Sequence, residues 1–385
     1  MSFLRNYLNK IKPNFEPGGK LHSLHSLFDG FETFLYVPDK TSKTGVNIHD
    51  AIDSKRIMSM VVIALMPALL FGIYNVGYQN YLAANALDNA SFAEIFSFGL
   101  LAVLPKILVS YLVGLGIEFA WAQWKGEEIQ EGFLVSGILI PMIVPVGCPL
   151  WILAIAVAFA VIIGKEIFGG TGMNIFNPAL LCRAFLFFSY PSMMSGDKVW
   201  VAQDPIFGLG NQLVDSFTKA TPLANVGQGV DTPLTMDMIT GFIPGSIGET
   251  SVIAIAIGAL LLLITGIASW KTMLSVFAGG AATAALFYAA GATPIPWYEH
   301  LVLGGFAFGA VFMATDPVTS ARTETGKWIY GALIGIVAVV IRVKNPGYPE
   351  GMMLAILLMN MFAPTIDHFI VERNIAKRLK RGGNK

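Results

Sequence analysis

Ile95-Phe96-Ser97-Phe98-Gly99-Leu100-Leu101-Ala102-Val103-Leu104-Pro105-Lys106-Ile107-Leu108-Val109-Ser110-Tyr111-Leu112-Val113-Gly114-Leu115-Gly116-Ile117-Glu118-Phe119-Ala120 decides the fold class. Only Lys106 and Glu118 carry charge in a run that exceeds the roughly 20 apolar residues a helix needs to cross a hydrocarbon core. Backbone groups in lipid have no water to pair with, so such a run must be helical. Working outward, 55% of the 385 residues are hydrophobic, 13% are charged and the mean hydropathy is +0.64, which excludes a soluble globular chain. The runs predict ten spans, near 57–78, 95–120, 132–147, 150–166, 178–193, 250–269, 272–291, 301–315, 328–343 and 351–368. The third and fourth are short and separated by Pro145, Gly147 and Pro149, which suits a broken or re-entrant pair. The expected fold is an all-α polytopic membrane protein of about ten transmembrane helices in two five-helix halves.

Lys and Arg beside short loops set the orientation. Arg5, Lys10, Lys12, Lys20, Lys40, Lys43, Lys55 and Arg56 precede the first span, and Arg373, Lys377, Arg378, Lys380 and Arg381 follow the last. Both termini are therefore expected in the cytoplasm, with Lys125, Lys165, Lys271, Arg322 and Lys327 on inner connections. Arg342 and Lys344 break the rule by falling on the outer side. The chain divides into a cytoplasmic N-terminal segment 1–56, a first membrane half 57–193, an outer loop 194–249, a second half 250–368 and a basic cytoplasmic tail 369–385. The long polar N-terminus predicts no cleavable signal peptide. A net formal charge of zero argues against nucleic acid as a partner, and the five histidines form no spaced pair that reads as a metal site.

Ionisable residues inside spans are costly enough to be functional candidates. Lys106 and Glu118 lie in the second span, Asp316 at the inner end of the eighth, and Asp367 at the end of the tenth. Glu118, Asp316 and Asp367 all project toward the cytoplasmic side, where a proton or hard cation could meet oxygen ligands; interhelical hydrogen bonds or ion pairs are the plainer reading. Lys106 needs a buried partner that the sequence does not name. Arg183 either snorkels to the inner surface or pairs with an acid.

Each half carries a polar Gly/Pro-rich segment: Phe168-Gly169-Gly170-Thr171-Gly172-Met173-Asn174-Ile175-Phe176-Asn177-Pro178 in the first, Ala314-Thr315-Asp316-Pro317 in the second. Asn174 and Asn177 could present amide groups to a flat heterocycle, or Asn177 could simply cap the following helix. In Ile243-Pro244-Gly245-Ser246-Ile247-Gly248-Glu249, backbone amides could bind an anion, or Ser246 and Glu249 could form a capping box.

The outer loop holds Asp215-Ser216-Phe217-Thr218-Lys219-Ala220-Thr221. It resembles the acceptor signature read by flavin transferases, Asp-x-x-Ser/Thr-Gly-Ala-Ser/Thr, with Lys219 in the glycine position; a solvated turn is the alternative. Any redox work needs an added cofactor, because Cys148 and Cys182 are too few and too far apart to hold an iron–sulfur cluster. Further motifs recur in order: Asn14-Phe15-Glu16-Pro17-Gly18-Gly19-Lys20, Asp53-Ser54-Lys55-Arg56-Ile57-Met58, Lys165–Gly172, Asn177-Pro178-Ala179-Leu180, the Ile243–Glu249 turn, His300–Phe306, Met313–Pro317 and Asn345-Pro346-Gly347-Tyr348-Pro349-Glu350-Gly351-Met352-Met353.

As a set these are similar to the NqrB family, a membrane component of bacterial sodium-translocating NADH:quinone oxidoreductases, along nearly the whole chain. The related RnfD component of the Rnf ion-translocating complex shares the membrane core but lacks the Phe-Glu-Pro-Gly-Gly-Lys extension. The resemblance implies an inner-membrane flavoprotein within a six-subunit complex, passing electrons to ubiquinone or menaquinone with Na+ export. It implies FMN joined through phosphate to Thr221, with Asp215, Thr218 and Ala220 as the acceptor motif and the loop periplasmic. It also implies non-covalent riboflavin in the segment of Asn174 and Asn177 and a quinone region at Gly114, Glu118 and Gly132, while their place in the spans makes Asp316 and Asp367 ion-pathway candidates. A non-redox solute channel or carrier fits composition and topology equally and predicts no flavin.

Overall fold

The structure, a computed structural model, describes residues 2–16, 18–22, 25, 28, 30, 32, 35, 36, 54–126, 132–196, 198–213, 220–227, 235–345 and 350–382. Ten elements stand where ten spans are expected, but they differ in kind. The long helices are α2 (Ser54–Ala83), α3 (Phe92–Lys125), α5 (Leu150–Gly164), α8 (Trp270–Ala289), α10 (Glu324–Lys344) and α11 (Met352–Gly382). With the short turn after α5 counted in, these are the six elements long and apolar enough to cross a membrane among the described residues. Shorter apolar helices are α4 (Phe133–Met142), α6 (Pro178–Ser189) and α7 (Val252–Ile264). An N-terminal helix α1 (Ser2–Ile11) precedes them, and α9 (Trp297–Val302) is a short helical turn.

Local chemistry sets the ends. The α3 helix starts where the Ser91 amide donates to Glu94 Oε2 at 2.8 Å and stops at Gly126, whose φ of 69° suits glycine. Helices then pack through small residues: a Cβ on Gly77 would meet the Ile95 carbonyl, and one on Gly99 would meet that of Ile73, so α2 and α3 approach backbone to backbone.

Two elements are broken. In the first, α4 ends at Met142, and the buried, non-helical Ile143–Val146 leads on to Pro149. In the second, the run expected as one span at 301–315 is not a continuous helix. It comprises α9, the non-helical Leu303-Gly304-Gly305, a single turn Phe306–Phe308 and a π-helical stretch Gly309–Met313. Unpaired carbonyls at such breaks need donors, and two buried cations supply them. Lys106 Nζ donates to the Cys148 carbonyl at 3.0 Å. Arg342 donates to the carbonyls of His300 at 2.5 Å and Leu303 at 3.1 Å. This gives Lys106 its partner and explains why Arg342 disobeys the charge rule: it is a buried donor to a broken helix, not a loop charge.

Candidate functional site

Two cavities lie toward opposite ends of the helices. One, called the outer cavity after the side on which the sequence places its loop, is about 270 Å³ and is walled by Thr221, Trp200, the Ile243–Thr250 turn, Gly304-Gly305 and Glu350. Thr221 is fixed by starting the short helix Pro222–Gly227: its Oγ1 accepts the Ala224 amide at 3.2 Å and its carbonyl accepts the Asn225 amide at 3.1 Å. The hydroxyl therefore sits on the cavity wall in a defined place.

Beneath it Arg183, on α6, is buried between two acids. Its Nη1 donates to Glu249 Oε1 at 2.7 Å and its Nη2 to Glu350 Oε2. Arg183 thus pairs with acids and does not snorkel. Glu249 is in the turn before α7, and the capping role falls instead to Ser251, which accepts the Ala254 amide at 3.3 Å. Burial pushes the Glu249 carboxyl up to about 7; Arg183 opposes that rise and Glu350 reinforces it. Thr250 Oγ1, also on this wall, is buried without a hydrogen-bond partner among the described residues.

The inner cavity is smaller, about 80 Å³, and gathers Gly132, Lys165, Thr171, Asn174, Asn177 and Asp316. Asn177 caps α6, accepting the amides of Ala179 at 3.0 Å and Leu180 at 3.3 Å, while its Nδ2 donates to Asp316 Oδ2 at 3.3 Å. Asp316 also accepts from the Val318 amide at 3.1 Å and Thr319 Oγ1 at 2.9 Å. Asn174 closes its own turn, accepting from the Gly172 amide at 3.3 Å and donating to the Phe176 carbonyl at 2.9 Å. Thr171 Oγ1 is buried without a partner among the described residues. Lys165 forms a buried ion pair with Glu118, whose other oxygen, Oε2, lacks a partner among the described residues.

The pattern of the NQR2, RnfD, RnfE family matches residues 41–376. The Na(+)-translocating NADH-quinone reductase B subunit of Chromohalobacter salexigens is 46% identical, covering 98% of this chain and 96% of the relative. The same protein of Pseudomonas aeruginosa is 44% identical over 99% of this chain and 100% of the relative, and that of Yersinia pestis 44% over 98% and 99%. The chain belongs to the NQR2, RnfD, RnfE family.

Both cavities fall within the part matched by the NQR2, RnfD, RnfE pattern, which makes the chain one component of a multi-pass membrane oxidoreductase and translocase. Of the acceptor motif, Ala220 and Thr221 are described, while Asp215 and Thr218 lie outside the described residues. The Gly114, Glu118 and Gly132 set meets at the junction of α3, α4 and α5: a Cβ on Gly114 would strike the Phe133 ring, and one on Gly132 the Thr171 side chain. Asp367 stands apart from the inner cavity. It accepts from the Arg322 amide at 2.7 Å and the Thr323 amide at 3.0 Å, tying α11 to the start of α10. Sequence reading missed Lys165 as the partner of Glu118 because Lys165 looked like an inner loop charge. It also missed that Arg183, Glu249 and Glu350 meet, since their separations of 66 and 167 residues carry no periodic signal.

Proposed function

We propose that this chain is the NqrB component of a sodium-translocating NADH:quinone oxidoreductase and carries FMN through a phosphoester on Thr221. Support comes from the relatives, which bear that name over essentially their whole length, and from one observation in this fold: the Thr221 hydroxyl is held on the wall of the outer cavity. The residues there fit the group. About 270 Å³ is near the roughly 300 Å³ lower bound of small-molecule sites, Trp200 offers a flat apolar face, and Gly304-Gly305 leave the wall open. FMN bound there supplies one-electron transfer. The protein's part is to fix the phosphate-bearing oxygen, exclude water with Trp200 and Leu303, and set the charge beneath with Arg183, Glu249 and Glu350.

In this reading the complex passes electrons from NADH to quinone with Na+ export, and the loop of Thr221 is on the periplasmic side of the inner membrane, where a flavin transferase reaches it. In the same reading riboflavin belongs at the inner cavity, where the amides of Asn174 and Asn177 already serve a turn and a cap, so the space of about 80 Å³ widens to admit it.

The test is the mass of the peptide containing Thr221, from protein made together with its flavin transferase. FMN mass on that peptide, and a fluorescent band on a denaturing gel that disappears in Thr221→Val, is the expected result. A Thr221→Val protein that keeps the flavin refutes the attachment site; no flavin at all favours the channel or carrier reading.

A further inference from the structure

We propose that Glu249 is a proton-accepting positioning residue of the outer cavity, taking up one proton for each electron that arrives at the group held on Thr221. The inference rests on the flavin reading of that cavity. Its basis is geometric. Two carboxylates, Glu249 and Glu350, line the cavity floor and share one guanidinium, Arg183, so each is only partly compensated. They converge at Gly305, where a Cβ would lie 2.5 Å from Glu350 Oε1 and 2.7 Å from Glu249 Oε1.

The charged and titratable groups on the surrounding elements are Arg183 on α6, Arg342 on α10, Glu350 just before α11, and Glu299 and His300 on α9. Arg342 is engaged with two carbonyls at the helix break and with the field of Glu350. Burial, and then Arg342, lower the proton affinity of His300. With all of them charged, Arg183, Arg342, Glu249, Glu350 and Glu299 sum to −1, so an electron added to the cavity deepens a negative charge already present in a low-dielectric setting. The system answers by neutralising the acid whose charge is least favoured. That acid is Glu249, whose side chain is 7% exposed against 14% for Glu350. The raised proton affinity of Glu249 agrees with the choice.

The step balances simply. The complex's upstream one-electron donor supplies the electron, and the Glu249 carboxylate takes one proton from outer water past the hydroxyls of Ser246 and Thr250, forming one O–H bond. When the electron leaves for the next carrier that bond breaks and the proton returns to outer water. Glu249 touches no reacting atom; it acts through charge.

The experiment is a potentiometric titration of the covalent flavin in the intact complex as a function of pH, with the Thr221 peptide mass measured on the same preparation. The expected potential changes near neutral pH toward a tenfold in equilibrium constant per pH unit, about 59 mV for a one-electron couple. Glu249→Gln flattens it, and a carboxylic-acid band in the reduced-minus-oxidised infrared spectrum disappears. Glu350→Gln removes a like charge and moves the window to lower pH, a readout that stands even if Glu249→Gln does not assemble. Flavin present with a flat wild-type potential, a slope that survives Glu249→Gln, or a window unmoved by Glu350→Gln overturns the inference alone. A Thr221 peptide without flavin overturns the cavity assignment and the inference with it.

Discussion

Replacing Arg342 by Met tests whether the broken eighth element is held together by a buried cation. The guanidinium donates to the carbonyls of His300 and Leu303, and it also lies 5.8 Å from the centre of the Phe306 ring. Methionine keeps most of the volume but leaves two buried carbonyls without these donors. Each such group costs about 1–3 kcal/mol, and relief of the desolvated charge offsets part of the total, so the expected loss is about 2–4 kcal/mol. Arg342→Lys, reaching one carbonyl, restores roughly half of it. Lys106→Met removes only the bond to Cys148 and costs less, about 1–3 kcal/mol. The assay is thermal unfolding of the detergent-solubilised complex at fixed lipid content. An Arg342→Met protein within about 0.5 kcal/mol of wild type, the range expected of a neutral surface change, refutes the reasoning.

Three further outcomes follow from the described contacts. Gly114→Ala drives a methyl into the Phe133 ring and destabilises by about 1–3 kcal/mol, and Phe133→Leu in the same chain recovers most of the loss in melting temperature; absence of recovery refutes the clash. Asn177→Asp keeps the cap on α6 but replaces the donor to Asp316 by a second carboxylate, so melting temperature falls at neutral pH and recovers as the medium is acidified; a pH-independent loss contradicts the pairing. Hydrogen bonds from Lys271 and then Lys327 hold the Glu324 carboxyl down at about 2, below its ordinary 4.5. A depressed carboxyl stabilises above its unfolded value, so this contribution is present above pH 4.5 and is lost as pH falls toward 2. Glu324→Gln should remove that acid dependence from the melting curve, and an unchanged curve argues against it.

The all-α membrane class and the rough position of the long helices were legible because a lipid environment turns apolar length into helix with few alternatives. The broken eighth element was not, because Leu303-Gly304-Gly305 keeps the apolar character of a span while its glycines abandon helical backbone. The cap at Asn177 was one of two readings the sequence left open, and it was legible because Asn before Pro at a helix start is local chemistry. The partners of Arg183 and Glu118 are long-range, and no local pattern carries that information. Thr221 stood out through its motif, but only the packing of the Ile243–Thr250 turn and Gly304-Gly305 around it shows a cavity at that hydroxyl.

The α6 helix behaves as a short strut pinned at two levels to the other half of the molecule. At its first turn Asn177 is bonded to Asp316, and Arg183, six positions on and about 9 Å further along the axis, is clamped by Glu249 and Glu350. A helix fastened twice over so short a length cannot tilt at one fastening without loading the other. Expansion of the inner cavity to admit a larger occupant is therefore mechanically geared to the charge cluster under the outer one.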